Sequence, residues 1–447
     1  MTSGIARLRA WLGEPVDAAS SAAFRIALGA LLFASTLRFA WKGWIDEFYL
    51  APSFHFGWTG FEWLTPFPRA VLYGQFGLMA LCALCLMLGF CYRAAALCLC
   101  LAFTCVELFD KTYYLNHYYL VSLLLALCVV LPLHRTASLD ARLWPARRSE
   151  RVPRAVPLLC ALQLGFVYFF AGLAKLDGDW LLRAQPLTTW LARYADAPAI
   201  GPLLQLPGVA HGLAWAGAIF DLSVAFLLCA RRTRLAAYGL LVAFHAATGL
   251  LFPIGLFPWL MIALTPVFFA PTWPRALFAR LSLCGPAAGS MPAAARPLAA
   301  LPASALALYV ALQLVLPLRH VLYPGAVNWT EEGFRFAWRV MLIEKTGRVE
   351  LRVHDPRTGE RFAVSPREEL SARQLAMMAT QPDMIAQYAR HLARRFEARG
   401  RPGVEVYADA FASLNGRRPQ RLIDPDANLA LPAALLARRG YVVPLSE

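Results

Sequence analysis

The stretch AVPLLCALQLGFVYFFAGLAKLDGDW, residues 155–180, decides what kind of protein this is. Residues 155–174 carry no charge, and charges then arrive together at Lys175, Asp177 and Asp179. A bilayer core takes about 20 apolar residues of helix, so the stretch reads as a membrane span with a charged end. Working outward, eight more apolar runs occupy 22–41, 70–90, 94–109, 117–133, 211–230, 235–252, 254–271 and 299–317. That makes nine; the third and fourth are short and only Pro253 separates the seventh from the eighth, so counts of eight and ten stay open beside it. The whole 447-residue chain agrees, with 59% hydrophobic and 16% charged side chains and a mean hydropathy of +0.49. Soluble domains run nearer half and a quarter, so an enzyme free in the cytosol is excluded. The first run is expected to stay on the chain, because Arg25, Arg38 and Trp41 interrupt or flank it and no small-residue cleavage site follows.

The net charge of +15 gains meaning only when mapped onto the loops. With the N-terminus cytoplasmic, the inner segments hold fifteen arginines, six of them in 135–154, while the outer loops hold six Lys and Arg. This asymmetry predicts a cytoplasmic N-terminus and an extracytoplasmic C-terminus. It also argues against nucleic acid, since the basic excess sits in short loops rather than in one stripe. The ten cysteines offer no disulfide framework and no metal-spaced pair. Nine lie in or beside apolar runs and read as small buried hydrophobes, and Cys284 lies in a basic loop.

Residues 318–447 are different material, with 20 basic and 15 acidic residues and no spanning run. VELRVHD (349–355) and ERFAV (360–364) alternate around Pro356–Gly359 and predict a β-hairpin. Residues 371–399 predict helix, restarted at Pro382, with Ile385, Tyr388, Leu392 and Phe396 as its apolar stripe. VEVYADAFASL and QRLIDP, joined by NGRRP, predict a second strand pair. The Ala/Pro-rich 285–303 reads as a loop leading into the ninth span. The expected fold is therefore an α-helical polytopic membrane protein of nine transmembrane helices, residues 1–317, followed by a C-terminal α+β, β-rich extracytoplasmic domain, 318–447.

Ionisable groups at membrane depth are costly and therefore informative. In VELFDKTYYLNHYYL, Glu107, Asp110, Lys111, Asn116 and His117 cluster between the third and fourth spans. One reading is an interfacial helix end with a Glu107–Lys111 i, i+4 ion pair. The other is a lysine at the edge of a pocket, where desolvation depresses its pKa and frees a usable base. In the same way, Lys175, Asp177, Asp179 and Trp180 either anchor the fifth span or form a pocket wall in which Lys175 pairs with one of the two aspartates. Asp221 lies mid-span and requires a partner on another helix, hydroxyl or backbone donors, or a proton. His245 lies beside a Gly/Pro-broken stretch, either as a hydrogen-bonded packing residue or as a site residue. No second ligand stands at i+3 or i+4, so metal is not expected. No phosphate loop or nucleophile elbow is present.

FDKTYYLNHYYL, LGFCYR (88–93), VYFFAGLAKLDGDW, FHAATGLLFPIGLFPWLMIALTPVFFAPTWPR (244–275) and NWTEEGFRFAWRVM (328–341) resemble the vitamin K-dependent γ-glutamyl carboxylase family. The resemblance continues through HDPRTGE (354–360), QYARHL (387–392) and QRLIDP (420–425). It implies a multi-spanning fold with a β-rich lumenal domain. The implied reaction couples oxygenation of reduced vitamin K, as phylloquinone or menaquinone hydroquinone, to removal of the γ-proton of a glutamate. The carbanion then adds carbon dioxide, giving γ-carboxyglutamate and vitamin K epoxide. Oxygen and carbon dioxide are co-substrates and no metal is implied. The γ-proton is too weakly acidic for a side-chain base, so the strong base must be made from the quinone, away from water.

By the same resemblance Lys111, in the DKT motif, is the base that deprotonates the hydroquinone, with His117 beside it in the catalytic set. Asn116, Asp110, Tyr114, Lys175, Asp177, Asp179, Trp180 and His245 are the implied quinone- or substrate-binding residues. His211, Asp221 and His320 also match family positions. Asn328–Trp329–Thr330 matches the start of the lumenal domain and reads either as a glycosylation sequon or as a packing turn. Implied partners are the lipid bilayer, a membrane quinone and a glutamate-containing protein or peptide. Tyr113, Tyr114 and Leu115 stand where animal enzymes carry Ser-Trp-Asn. Animal enzymes also continue well past this length, and their disulfide between membrane and lumenal parts has no counterpart cysteine in 318–447. With the Arg-rich, Lys-poor composition, these departures lead to the expectation of a bacterial inner-membrane homologue. They keep two alternatives open, a hydroquinone epoxidase that does not carboxylate and a non-enzymatic quinone-binding scaffold.

Overall fold

The computed structural model describes residues 2–198, 200–281, 299–434 and 440–446. Cys284, Arg296 and most of the expected 285–303 loop lie outside the described residues.

Seven of the nine apolar runs form helices long and apolar enough to cross a membrane. They are α1 (Ala19–Trp41), α2 (Arg69–Leu88), α3 (Tyr92–Phe109), α5 (Ala155–Ala174), α6 (Val209–Cys229), α7 (Arg234–Leu251) and the last, α9 (Ala300–Val315), which continues as a tighter turn through Leu316–Leu322. The other two runs are shorter than nine full spans would need. The fourth becomes α4 (Asn116–Val130), because Pro132 ends it. Fifteen residues rise only about 22 Å, against a hydrocarbon core of about 30 Å. The eighth becomes α8 (Phe257–Leu264) and a tighter turn, Thr265–Phe268, where Pro266 removes a helical donor. Between α7 and α8 the backbone from Phe252 to Leu256 is irregular. At membrane depth such backbone persists only where protein or a cavity surrounds it.

Successive helices pack as neighbours, α1 on α2, α2 on α3, α3 on α4, and α5 on α6. Their facing side chains form one core that includes Leu28, Leu72, Leu86, Leu99, Leu124 and Leu164, all essentially inaccessible. The crossing of α1 and α2 is close because Gly29 has no side chain. A Cβ built there would lie 2.5 Å from the backbone nitrogen of Met87. Gly29→Val is therefore expected to lower stability by roughly 1–3 kcal/mol, read as a fall in the thermal unfolding midpoint in detergent. An unchanged midpoint would show that the helices separate freely at this crossing.

The cysteines correct one expectation. Cys82, Cys128 and Cys160 are buried, but Cys91, Cys98 and Cys229 are exposed, and all nine described cysteines are free thiols. An outward face on a spanning helix meets lipid rather than water, so a small apolar side chain need not be inside.

Among the described residues the C-terminal part contains a four-stranded antiparallel sheet covered by two helices. Its strands are β1 (Lys345–Asp355), β2 (Glu360–Val364), β3 (Glu405–Leu414) and β4 (Gln420–Arg421), in the order β2-β1-β3-β4. Leu351 opposes Val364 and Asp355 opposes Glu360, closing the expected hairpin. The strict alternation of β3 buries Val406, Ala408, Ala410, Ala412 and Leu414 on one face. Helices α10 (Ala372–Met378) and α11 (Pro382–Ala398) cover that face. Pro382 starts α11, and Ile385, Tyr388 and Leu392 are fully buried. Phe54 and Phe56, from the loop after α1, insert into this second core. The membrane helices and the sheet domain are thus pinned together by side chains from one loop.

Candidate active site

Helix α3 stops at Phe109, and Asp110 turns the chain with an extended backbone. Its carboxylate accepts the Thr112 N–H at 2.8 Å, capping the single tight turn that carries Lys111. The same carboxylate accepts from the Gln374 amide on α10 at 2.8 Å, and His55 Nδ1 approaches it at 3.3 Å. The Lys111 backbone N–H donates to the Phe56 carbonyl at 2.9 Å. Lys111 is therefore held by a helix end, a loop and a helix of the C-terminal domain at once.

The Lys111 side chain is 8% exposed. It does not pair with Glu107. Its ammonium lies 2.7 Å from Asp383 Oδ2 at the start of α11. Arg335 lies 3.0 Å from the same oxygen and contacts the Gln381 amide oxygen. Burial pushes the Lys111 amine below its ordinary pKa, against the pull of Asp383. Burial would raise Asp383, but Arg335 and Lys111 together hold its carboxyl well below the usual range. The following residues are stitched to the chain after α9. Tyr114 donates its hydroxyl proton to Asn116 Oδ1 at 3.1 Å and accepts the Phe336 N–H at 2.7 Å. The Asn116 amide donates to the Arg339 carbonyl at 3.3 Å.

Three chambers meet at this junction. The first, about 400 Å³, is lined by Lys111, Tyr114, Asn116, Glu331, Arg335 and Arg339 among others. The second, about 560 Å³, is strongly aromatic, with Phe39, Trp44, Phe48, Tyr113 and Tyr118 around His117 and with Arg38 and Arg373 also in its wall. The third, about 170 Å³, is almost wholly apolar and contains Lys175, Trp180, Asp221 and His245. All three share Ile254 and Met341. The broken backbone between α7 and α8 is thus the common wall, as its irregularity at membrane depth requires.

The second polar cluster is wired differently from either sequence expectation. Lys175 pairs with neither Asp177 nor Asp179. Its ammonium lies 2.7 Å from Asp221 Oδ2 on α6 and 5.2 Å from the Trp180 ring centre. The partner that Asp221 needed is thus a lysine one helix away. Trp180 donates its indole N–H to the Ala214 carbonyl at 2.8 Å, and the Tyr168 hydroxyl lies 2.7 Å from His245 Nε2. Asp177 caps the turn after α5 by accepting the Asp179 N–H at 2.9 Å. Asp179 takes Arg417 at 2.6 and 2.8 Å and the Asn415 amide at 3.0 Å, both from the sheet domain. Burial would raise its pKa, but these donors bring it below the ordinary value.

Of the sequence-predicted residues, Lys111, Tyr114 and Asn116 line the first chamber, Asn116 and His117 the second, and Lys175, Trp180 and His245 the third. Asp110, Asp177 and Asp179 line none of the three and instead tie loops and domains together. Sequence reasoning missed Asp383, Arg335, Arg339, Glu331, Arg38 and Arg373. Arg335, Arg339 and Glu331 stood inside NWTEEGFRFAWRVM, where four ionisable residues in one short stretch (Glu332 is the other) were a usable signal. Asp383 carried only the look of an acidic residue in a helix's first turn. Asn328 is 6% exposed and its Oδ1 accepts from Arg339, so its amide is engaged in packing.

The family model for the HTTM domain matches residues 14–273. The model for the vitamin K-dependent gamma-carboxylase lumenal domain matches residues 299–447. No solved structure matches the chain. The two matches cover the membrane helices and the sheet domain in turn, and the site lies where those two parts meet. The chain is an integral membrane protein and belongs to the vitamin K-dependent γ-glutamyl carboxylase family.

Proposed function

We propose that this protein is a γ-glutamyl carboxylase that couples oxygenation of vitamin K hydroquinone to carboxylation of peptide glutamate, with Lys111 as the base. The observation that carries the reading is the place of Lys111. It is buried, desolvated and directed into a chamber that adjoins an aromatic-lined one. The residues of the aromatic chamber fit a fused-ring quinone. Phe39, Trp44, Phe48 and Tyr113 give that chamber an aromatic wall, and the apolar third chamber suits a hydrocarbon tail. When bound and oxygenated, the hydroquinone supplies the strong base that no side chain provides.

The protein's own part is then limited and specific. Lys111, once neutral, takes the proton of a hydroquinone hydroxyl. Asn116 and His117 orient what lies between the first two chambers, and the aromatic walls exclude water. Lys175, Trp180 and His245 shape the far end of the apolar chamber. The distribution of arginine supports a cytoplasmic N-terminus, with residues 318–447 extracytoplasmic. Quinone then enters from the bilayer and peptide from the sheet-domain side. In a bacterial inner membrane that side is the periplasm.

The test is made on purified protein in nanodiscs with vitamin K hydroquinone, oxygen, labelled bicarbonate and a glutamate-rich peptide. Epoxide and fixed label are expected together. Epoxide alone would replace this reading with that of an oxygenase. Neither product, with quinone binding demonstrated, would sink the enzymatic reading.

A further inference from the structure

The first chamber has a charge imbalance that the deprotonation step does not use. Lys111, Arg193, Arg335 and Arg339 line it against a single carboxylate, Glu331. Three of the four cations are answered. Lys111 and Arg335 share Asp383, and Arg193 is paired with Glu344. Glu331 itself is taken by Lys345 at 3.2 Å. Arg339 is different. It is 6% exposed, yet among the described residues no carboxylate lies within ion-pair distance of it. Its Nε and Nη2 both donate to the single oxygen Asn328 Oδ1, at 3.3 and 3.1 Å.

A buried guanidinium without a counter-charge is costly. Burial draws Arg339 below the ordinary guanidinium value, opposed only by Asp177 at longer range. The chain that carries it is strained as well. Glu331, Phe336, Trp338 and Met341 all hold left-handed backbone, with φ of 60°, 64°, 54° and 54°. Four such non-glycine residues so close together persist only when the surroundings enforce them, which is a mark of functional sites. Glu331, Arg335, Arg339 and Met341, all on this stretch, line the one chamber.

We propose that Arg339 anchors the side-chain carboxylate of a peptide glutamate in this chamber, held in place by Asn328, and so selects glutamate over glutamine. The assignment rests on the reading given under Proposed function and adds the residue that sets its specificity. A guanidinium meets a carboxylate with two parallel N–H donors, whereas an amide offers one acceptor and brings two donors of its own. Asn328 takes the Nε–Nη2 edge of the fork, leaving the second Nη2 N–H and those of Nη1 as the parallel pair for the incoming carboxylate.

The test measures binding without turnover. A labelled peptide with one glutamate and its glutamine twin are titrated by fluorescence anisotropy against the full protein in nanodiscs. The wild type is expected to prefer the glutamate peptide on the order of tenfold. Arg339→Gln is expected to bring the two affinities within about twofold, and Arg339→Lys to restore part of the difference. Arg352→Gln, which removes the same charge from an exposed strand position outside the chamber, is expected to keep the full preference. Should Arg339→Gln not fold, Asn328→Ala loosens the guanidinium without removing it and is expected to cut the preference several-fold. A full preference in Arg339→Gln or Asn328→Ala, or none in the wild type, overturns the assignment. Epoxide formation is followed in parallel. A preference that tracks Arg339 with no epoxide from the wild type sinks the enzyme reading alone, and epoxide without any preference sinks this inference alone.

Discussion

Lys111→Ala is expected to lower epoxide formation and label fixation together, by roughly 100- to 10,000-fold, the usual contribution of a positioned base. Quinone binding should survive, because the aromatic chamber does not include Lys111 in its wall. The resting pair with Asp383 predicts a particular pH profile. Only the neutral amine accepts a proton, so activity rises with pH through the apparent pKa of the pair. Burial sets that pKa below the ordinary lysine value, and Asp383 pulls it back up by stabilising the ammonium. Asp383→Asn removes the upward pull, so its rising limb is expected at lower pH than that of the wild type. A limb that stays in place, or moves to higher pH, would show that Lys111 is not the group that titrates. Epoxide formation at wild-type rate in Lys111→Ala would remove the base assignment altogether.

The second large effect is structural and lies at the opposite end of α3. Arg25, fully buried on α1, donates to the Leu86 and Met87 carbonyls at 2.7 and 2.5 Å, and to those of Ala137 and Leu133 at 2.5 and 3.2 Å. The first two belong to the last turn of α2, where unsatisfied carbonyls and the helix dipole both favour a cation. The other two belong to the connection after α4. Beside them Asp140 caps α3 by accepting the Cys91 and Tyr92 N–H groups at 2.8 and 3.0 Å. Arg25→Met would fill similar space and leave the Met87, Leu133 and Ala137 carbonyls without their donor, while that of Leu86 keeps the Gly89 N–H at 3.2 Å. An orphaned buried acceptor costs about 1–3 kcal/mol, and relaxation offsets part of the sum, so a loss of roughly 3–5 kcal/mol is expected in denaturant unfolding. Gly89 belongs to the same joint. Its φ is 63°, and a Cβ there would lie 2.8 Å from Arg25 Nη1 and 2.4 Å from the Ser138 Cβ. A loss below about 1 kcal/mol for Arg25→Met would mean that water or neighbouring donors replace the guanidinium.

These two arginine and lysine sites mark the boundary of what sequence alone decides. Apolar runs, the Pro382 restart, the hairpin around Pro356–Gly359 and the excess of arginine in alternate loops are local properties of the chain, and all were legible. Each depends on how neighbouring residues partition or turn, which sequence spacing records directly. Family resemblance brought Lys111, His117 and Asn116 into view in the same way, as an ordered series of motifs. The fourth run was already short in the sequence, but where the eighth stops as regular helix was not legible, because hydropathy registers apolarity and not the donor that Pro266 removes.

What the tertiary structure decided was partnership. Lys175 answers Asp221 rather than the aspartates two and four residues away, and Lys111 answers Asp383 rather than Glu107. Asp179, adjacent to a candidate pocket in sequence, is spent on Arg417 and Asn415 of another domain. Buried charges must find counter-charges or donors wherever the fold supplies them. Coulombic and hydrogen-bond partners are set by distance in space, and sequence spacing reports that distance only along a single helix or strand.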